Sequence, residues 1–140
     1  MVDDNGLGLV ARKSVLEELG HRITIASTAE DALELFTKQR FELLITDFRL
    51  PKMNGVELTA QVRKVRADIP VILVSGFTDA MGLNEETTGA DLVIQKSSRE
   101  VAQLIRGVNR LLGRAPRKPA SSAGREQLRN SGAARRAGPA

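Results

Sequence analysis

The sequence has no cysteine, tryptophan or tyrosine, only four phenylalanines among its 140 residues, and a single histidine. Without cysteine there is no disulfide framework and no thiol chemistry, and one histidine cannot make a zinc site. The scarcity of aromatic rings disfavours proteins that stack the bases of single-stranded nucleic acid. No apolar run approaches the roughly 18 residues that span a bilayer, and the first residues lack the basic and apolar parts of a signal peptide. We therefore expect a cytoplasmic protein without a membrane partner.

Basic residues are concentrated at the C-terminal end. Residues 1–113 carry 14 basic and 16 acidic side chains, whereas residues 114–140 carry seven basic side chains and one acidic side chain. Leu128 is the only large aliphatic residue of that last segment. Such a segment buries too little apolar surface to offset the entropy that is lost on ordering. We therefore predict one domain at 1–113 and a disordered basic tail at 114–140, and we favour a solvated tail over one that binds nucleic acid.

Short apolar runs alternate with helical patterns along residues 1–113. The runs that predict strands are Arg22–Ala26, Leu43–Thr46, Val71–Val74 and Leu92–Gln95. The helical patterns lie at about Leu7–Leu19, from the capping-box spacing Ser27–Glu30 onward, after the N-cap Asn54, at Asp79–Thr88 and at Ser98–Leu112. On the first helix, we expect one apolar face made of Ala11, Val15, Leu16 and Leu19. Because strands that alternate with helices form βαβ crossovers, the predicted fold class is α/β with a parallel sheet.

Polar side chains follow the predicted strands. Asp3 and Asp4 close a very short first apolar run, and Asp47, Ser75 and Lys96 each follow a later strand. The carboxyl ends of parallel strands meet at one edge of a sheet, so these groups converge. Three crowded carboxylates repel one another without a cation, and all-oxygen ligands favour Mg²⁺. A hydroxyl and an ammonium group beside that ion would bind a phosphoryl group, and a carboxylate can accept it covalently. The residues therefore predict Mg²⁺-assisted phosphoryl transfer to a carboxylate.

Four motifs follow one another along the chain: V-D-D-N at 2–5, T-D-F-R-L-P-K-M-N-G at 46–55, V-I-L-V-S-G at 71–76 and G-A-D-L-V-I-Q-K at 89–96. Their order and spacing resemble the receiver domain of bacterial two-component response regulators, and the resemblance covers residues 1–113. It implies a flavodoxin-like, doubly wound fold whose five-stranded parallel sheet has the order 2-1-3-4-5. The first strand would be truncated here.

The resemblance also implies a role for each residue at the strand ends. Asp47 would accept a phosphoryl group from a phosphohistidine on a sensor histidine kinase or a phosphotransfer protein. Asp4 would bind Mg²⁺ directly, with Asp3 assisting or acting through water, and Asp47 and the backbone carbonyl of Arg49 would supply further ligands. Ser75 would bond a phosphoryl oxygen, and Lys96 would pair with the phosphoryl group or with Asp47.

As a phosphoacceptor of this kind, the chain would not be an enzyme. Phosphorylation would reshape the face formed by the fourth helix, the fifth strand and the last helix, and that face would engage an unknown downstream protein. Any part of the apolar stripe of the last helix that the core leaves uncovered could serve a homodimer.

The sequence departs from the family pattern in three places. Only Met1 and Val2 precede the acidic pair, and losing the other buried residues of that strand costs roughly 5–10 kcal/mol. That loss is comparable to the whole stability of a domain, about 5–15 kcal/mol, so we expect marginal folding and upstream residues that complete the strand. Ser97 stands where proline is usual after the lysine, and Val93 stands where an aromatic residue is usual.

Three rival functions remain on the sequence alone. A degenerate or truncated receiver could act as a phosphorylation-independent interaction module. A phosphatase with an aspartate nucleophile would use the same edge, but it needs a second aspartate where this chain has Arg49. A nucleic-acid binder would depend on the tail alone, and its affinity would fall steeply with salt.

Overall fold

The computed structural model describes residues 1–76 and 82–113. In chain order, its helices and strands are α1 (Gly6–Glu18), α2 (Ala29–Lys38), β1 (Leu44–Asp47), α3 (Gly55–Val65), β2 (Val71–Ser75), α4 (Glu85–Thr88), β3 (Leu92–Gln95) and α5 (Glu100–Leu111). The predicted tail at 114–140 lies outside the described residues.

The three named strands form a parallel sheet in the order β1-β2-β3. Ile45 is paired with Ile72, and Ile72 with Leu92. Every residue of β1 and β2 is buried, as expected for central strands that are covered on both faces. The predicted α/β class and the parallel sheet are therefore confirmed.

The first two predicted strands are reduced to isolated pairings, which corrects the five-stranded sheet and the strand predicted at Arg22–Ala26. Val2 forms parallel bridges with Ala26 on one side and with Thr46 on the other. The short segment Met1–Asp3 lies between the predicted strand Arg22–Ala26 and β1. Its backbone hydrogen bonds to that predicted strand involve only Thr24 and Ala26. The rest of that segment gains no ladder and is not a strand, although the order of the segments is still 2-1-3.

Two apolar clusters lie on opposite faces of the sheet because alternate strand residues point in opposite directions. On one face, Val71 and Leu73 pack with the helices α2 and α3, which contribute Ala29, Ala32, Leu58 and Val62. On the other face, Ile72 and Val74 pack with α1 and α5, which contribute Leu16, Leu104 and Val108. The sheet is therefore covered by helices on both sides, as in a doubly wound fold.

Two helices differ in detail from their predictions. The buried face of α1 carries Leu9, Arg12 and Leu16, whereas Leu19 is 46% exposed, so the predicted face was rotated. In the helix predicted at Asp79–Thr88, residues 79–81 lie outside the described residues, and Gly82–Asn84 are not helical. The described helix begins only after Asn84, whose side chain caps it.

The helix caps follow from short-range sequence signals. Asn54 and Glu57 form the predicted capping box at the start of α3, in which each side chain accepts a hydrogen bond from the backbone of the other residue. At α2 the cap is Thr28 rather than Ser27: the Thr28 hydroxyl accepts a hydrogen bond from the Asp31 N–H. These caps fix where α2 and α3 begin, and α3 begins directly below the loop that follows Asp47.

Candidate functional site

Asp47 is the last residue of β1 and lies at the carboxyl edge of the sheet. Asp47 is 7% exposed, so its carboxylate has little contact with water. The backbone on both sides is anchored: the Asp47 N–H donates to the Val2 carbonyl at 2.9 Å, and the Phe48 N–H donates to the Val74 carbonyl at 2.9 Å. The strand therefore holds this carboxylate in a fixed place.

The loop after Asp47 folds back tightly onto β1. The Gly55 N–H donates to the Phe48 carbonyl at 2.8 Å. A Cβ atom on Gly55 would lie 2.4 Å from the Asp47 carbonyl oxygen and 2.6 Å from Cδ1 of Leu73, so only glycine fits there. Lys52, inside this loop, has a φ of 68°, which few residues other than glycine adopt. The start of α3 is thereby packed directly against the backbone of Asp47.

Three carboxylates meet at this edge. Each of Asp3, Asp4 and Asp47 offers one oxygen, and these oxygens all lie within 4.8 Å of one another. Asp3 is 1% exposed and Asp4 is exposed. An all-oxygen set that contains three negative charges suits a hard divalent cation such as Mg²⁺. The residues present therefore fit the cation that the sequence predicts.

Two further predicted residues are brought to the same edge. The Lys96 Nζ donates to Oδ2 of Asp47 at 3.1 Å, and the Lys96 side chain is 30% exposed. The Lys96 N–H donates to the Ser75 carbonyl at 2.8 Å, which fixes the two strand ends side by side. Ser75 is 1% exposed. The fold therefore brings Asp3, Asp4, Asp47 and Lys96 together and places Ser75 at the adjacent strand end.

Burial raises the pKa of the Asp47 carboxyl above its ordinary value of 3.8. The hydrogen bond and the positive charge of Lys96 lower this pKa in part, whereas the neighbouring charge of Asp3 raises it further. Arg12 contributes a smaller lowering effect. The ionised form of Asp47 is thus held at a cost in free energy that a bound cation would relieve.

Residues that the sequence reasoning did not select complete the site. Nη2 of Arg12 pairs with Oδ2 of Asp3, and Nη1 of Arg12 donates to Oε2 of Glu100 at 2.5 Å. Arg12 is 5% exposed. A signal was present, because Arg12 lies three residues after Leu9 and four before Leu16, which is the spacing of one helix face.

The remaining residues that the sequence singled out have less informative surroundings. Arg49 is exposed two residues beyond Asp47. Ser97 turns the chain toward α5, since its hydroxyl oxygen accepts a hydrogen bond from the Arg99 N–H at 3.2 Å. Val93 is partly buried in β3 and packs against the same apolar cluster as Leu73.

Of the helices in the described ranges, none has the length and apolar character that crossing a bilayer requires.

Comparison of the chain with known proteins gives one consistent family. The family model described as response regulator receiver domain matches residues 1–108. The response regulator receiver protein CpdR of Brucella abortus (strain 2308) is 26% identical over 111 residues, which cover 79% of this chain and 91% of that protein. The aerobic respiration control sensor protein ArcB of Escherichia coli (strain K12) is 33% identical over 75 residues, which cover 52% of this chain but only 10% of ArcB. This chain therefore matches about a tenth of that sensor protein's length.

A solved structure shows the same fold. The response regulator protein TrrA from Thermotoga maritima, crystallised in complex with Mg²⁺-BeF, is 29% identical and superposes with a TM-score of 0.71. The superposition covers 79% of this chain and 95% of TrrA. The predicted resemblance and the CheY-like α/β fold are thereby confirmed, with a sheet that has fewer regular strands. This chain belongs to the response regulator receiver domain family of two-component systems.

Proposed function

We propose that the chain is a phosphoacceptor in which Asp47 receives a phosphoryl group from a phosphohistidine. The observation that supports this most directly is the placement of Asp47 itself. Its carboxylate is nearly buried, Lys96 Nζ lies 3.1 Å from Oδ2, and oxygens of Asp3 and Asp4 lie within 4.8 Å. A carboxylate nucleophile beside an ammonium group and beside two carboxylates that could hold a metal ion suits phosphoryl transfer.

The transfer exchanges one bond to phosphorus for another. An oxygen of the Asp47 carboxylate attacks the phosphorus atom, and an O–P bond forms as the P–N bond of the phosphohistidine breaks. The electron pair of the broken bond remains on the imidazole nitrogen. Asp3 and Asp4 would hold Mg²⁺ with Asp47 and the Arg49 carbonyl, and the ion, when bound, supplies positive charge that offsets the carboxylates and the phosphoryl oxygens. The ammonium group of Lys96 would pair with a phosphoryl oxygen.

Ser75 would transmit the state of Asp47 to the surface. The ends of β2 and β3 are joined by the bond from the Lys96 N–H to the Ser75 carbonyl, and β3 leads directly to α5. A hydroxyl that moves toward a phosphoryl group on Asp47 would shift this strand end. We expect the resulting change on the face of α4, β3 and α5, where Val101 is 37% exposed and could contact a partner or a second copy.

The proposed donor is a sensor histidine kinase or a phosphotransfer protein. Among the relatives, ArcB is a sensor protein and AruS of Pseudomonas aeruginosa is a sensor histidine kinase; each contains a stretch similar to this chain. The described domain itself has no residue set that we assign to turnover of a substrate, and we propose a switch rather than an enzyme.

Intact mass spectrometry tests this function. The full chain is incubated with acetyl phosphate, with Mg²⁺ or with a chelator, beside the variant Asp47→Asn. We expect one phosphoryl adduct in the wild-type protein that requires Mg²⁺ and is absent from Asp47→Asn. As a matched control, Asp68→Asn removes a carboxylate whose side chain is 84% exposed, and it should keep the adduct.

A folded wild-type protein without an adduct would contradict the phosphoacceptor role. The favoured function would then be a phosphorylation-independent interaction module. The first strand, reduced to the bridges of Val2, is the structural observation that favours this second candidate. Circular dichroism on the same sample separates this outcome from a failure to fold.

A further inference from the structure

Arg12 is a buried arginine inside the acidic edge of the sheet. It lies on α1 at the position of the helix face that also carries Leu9 and Leu16, and it is 5% exposed. Its guanidinium group pairs with Asp3 through Nη2 and with Glu100, on α5, through Nη1. The side chains of Asp3 and Glu100 are themselves 1% and 14% exposed. One arginine therefore joins a predicted metal ligand to the first turn of the last helix.

The helix leaves space for this guanidinium group. Gly8 precedes Arg12 by one turn, and a Cβ atom at Gly8 would lie 3.3 Å from both Nη atoms of Arg12 and 3.6 Å from its Cζ. A buried charge needs partners of opposite charge, and here both terminal nitrogens have carboxylate partners. The Nε of Arg12 is buried and lacks a partner within the described ranges, so the pairing is made by the two terminal nitrogens.

Both oxygens of Asp3 are already in use. Oδ1 accepts a hydrogen bond from the Asn5 N–H at 2.8 Å, and Oδ2 is paired with Arg12. A cation that binds Asp3 must therefore share an oxygen with the Asn5 N–H or with the guanidinium group, or displace the guanidinium group from Oδ2. Arg12 also places one positive charge beside the site, which disfavours a second positive charge there. The bound cation and Arg12 are competitors for one carboxylate.

We propose that Arg12 is a positioning residue that serves as the internal counter-ion of Asp3, lowers the Mg²⁺ affinity of the acidic edge and links its occupancy to α5 through Glu100. This inference rests on the proposed function because it takes Mg²⁺ as the ligand. When the cation engages Asp3, Arg12 keeps Glu100 as its partner. Because coupling between sites is reciprocal, a stronger hold of Glu100 on Arg12 must favour the cation at Asp3.

The test measures Mg²⁺ binding by isothermal titration calorimetry on the full chain. We expect Arg12→Met to lower the Kd at least about fivefold, since the competing charge is removed. Glu100→Gln should raise the Kd about threefold, because Arg12 is then left with Asp3 as its carboxylate partner. In the double variant Arg12→Met/Glu100→Gln, the effect of the Glu100 substitution should disappear, since it acts through Arg12.

Two matched variants separate this role from a loss of charge or of packing. Lys13→Met makes the same charge change at the next residue of α1, which pairs with Glu17 at the surface, and it should leave the Kd within about twofold. Arg12→Lys keeps the positive charge beside Asp3, so its Mg²⁺ affinity should stay near that of the wild type. A merely structural arginine would lower the stability in both Arg12 variants without raising the affinity in either.

Backbone amide shifts of α5 provide a second readout. In the wild-type protein, Mg²⁺ should move the amide signals of Glu100 and Val101, and this response should be lost in Glu100→Gln. If Arg12→Met fails to fold, the Kd of Glu100→Gln and the α5 amide signals still test the proposal. A Kd of Glu100→Gln equal to that of the wild type, together with wild-type α5 signals that Mg²⁺ does not move, overturns it.

The outcomes also separate this proposal from the proposed function. Suppose that the wild type binds Mg²⁺ and forms the phosphoryl adduct, but Arg12→Met and Glu100→Gln have the same Kd as the wild type. This result overturns the role of Arg12 and leaves the phosphoacceptor function intact. Binding that appears only in Arg12→Met supports the role of Arg12, while the missing wild-type adduct contradicts the phosphoacceptor. No Mg²⁺ binding in any folded variant overturns both.

Discussion

At the scale of single residues, Asp47 is held in an environment that disfavours its ionised form. Burial and the charge of Asp3 both raise the pKa of its carboxyl, and Lys96 offsets this only in part. A carboxyl with a raised pKa in the folded state binds its proton more tightly than in the unfolded chain. Folding is therefore favoured by this group at acid pH and loses that contribution as the pH rises from the unfolded pKa through the folded one.

Replacing Asp47 by asparagine removes this cost. We expect Asp47→Asn to be more stable than the wild type by about 1 kcal/mol at about pH 7 in the presence of a chelator. The stability difference between the two proteins should shrink as the pH falls toward the ordinary pKa of an aspartate carboxyl, because protonated Asp47 is neutral like asparagine. Urea denaturation of both proteins over this pH range measures it. The exposed control Asp68→Asn should show no such trend, and a difference for Asp47→Asn that does not vary with pH would contradict the argument.

At the scale of secondary-structure elements, α3 carries the loop that shapes the site. The capping box of Asn54 and Glu57 fixes the first turn, and Gly55 lets that turn touch the backbone of Asp47. The start of α3 and the end of β1 are thus packed together as one unit. A side chain at Gly55 would disturb the strand end as well as the helix.

We predict that Gly55→Ala destabilises the protein by about 2–3 kcal/mol, because its Cβ would overlap the Asp47 carbonyl oxygen and Leu73. The Mg²⁺-dependent adduct should also form more slowly, since the Asp47 backbone must shift. Chemical denaturation and the rate of adduct formation measure the two effects. Gly6→Ala is the matched control: nothing lies within 4 Å of a Cβ at Gly6, so the same substitution there should be neutral or slightly stabilising. Equal stabilities of the two variants would refute the close-approach argument.

At the scale of the whole molecule, the two apolar clusters on opposite faces of the sheet define the folded unit. Among the described residues, the last buried one along the chain is Val108 on α5, which packs beneath β2 and β3. The family match also ends at residue 108. The domain at 1–113 stays a prediction from the composition of the segment that follows, and this burial agrees with it.

A chain that ends at Gly113 should therefore keep its melting temperature within about 2 °C of the full chain, since it retains every described residue of the two clusters. Differential scanning calorimetry measures this. A second truncation that ends at Gly107 removes Val108, which is 2% exposed, and should not fold cooperatively. A large loss of stability in the first truncation would show that 114–140 belongs to the folded domain.

Local sequence signals accounted for most of the elements that position the site. Apolar runs identified β1 and β2, which are buried on both faces, and also the less buried β3. The spacing of Asn54 and Glu57 identified the start of α3. The strand predicted at Arg22–Ala26 failed because a strand needs a paired neighbour, and Val2 supplies only isolated bridges. The alternation of residue types within a segment does not indicate how long the strand beside it in the sheet will be.

The sequence by itself determined the order of strands and helices and the carboxylate, hydroxyl and ammonium groups at the strand ends, because these depend on residues close together in the chain. Helix spacing places Arg12 on one face with Leu9 and Leu16, but only the tertiary structure decided that Arg12 joins Asp3 to Glu100. Those two contacts link residues separated by nine and by 88 positions. Burial of a charge is settled by the partners that the fold brings to it, and no local pattern contains that information.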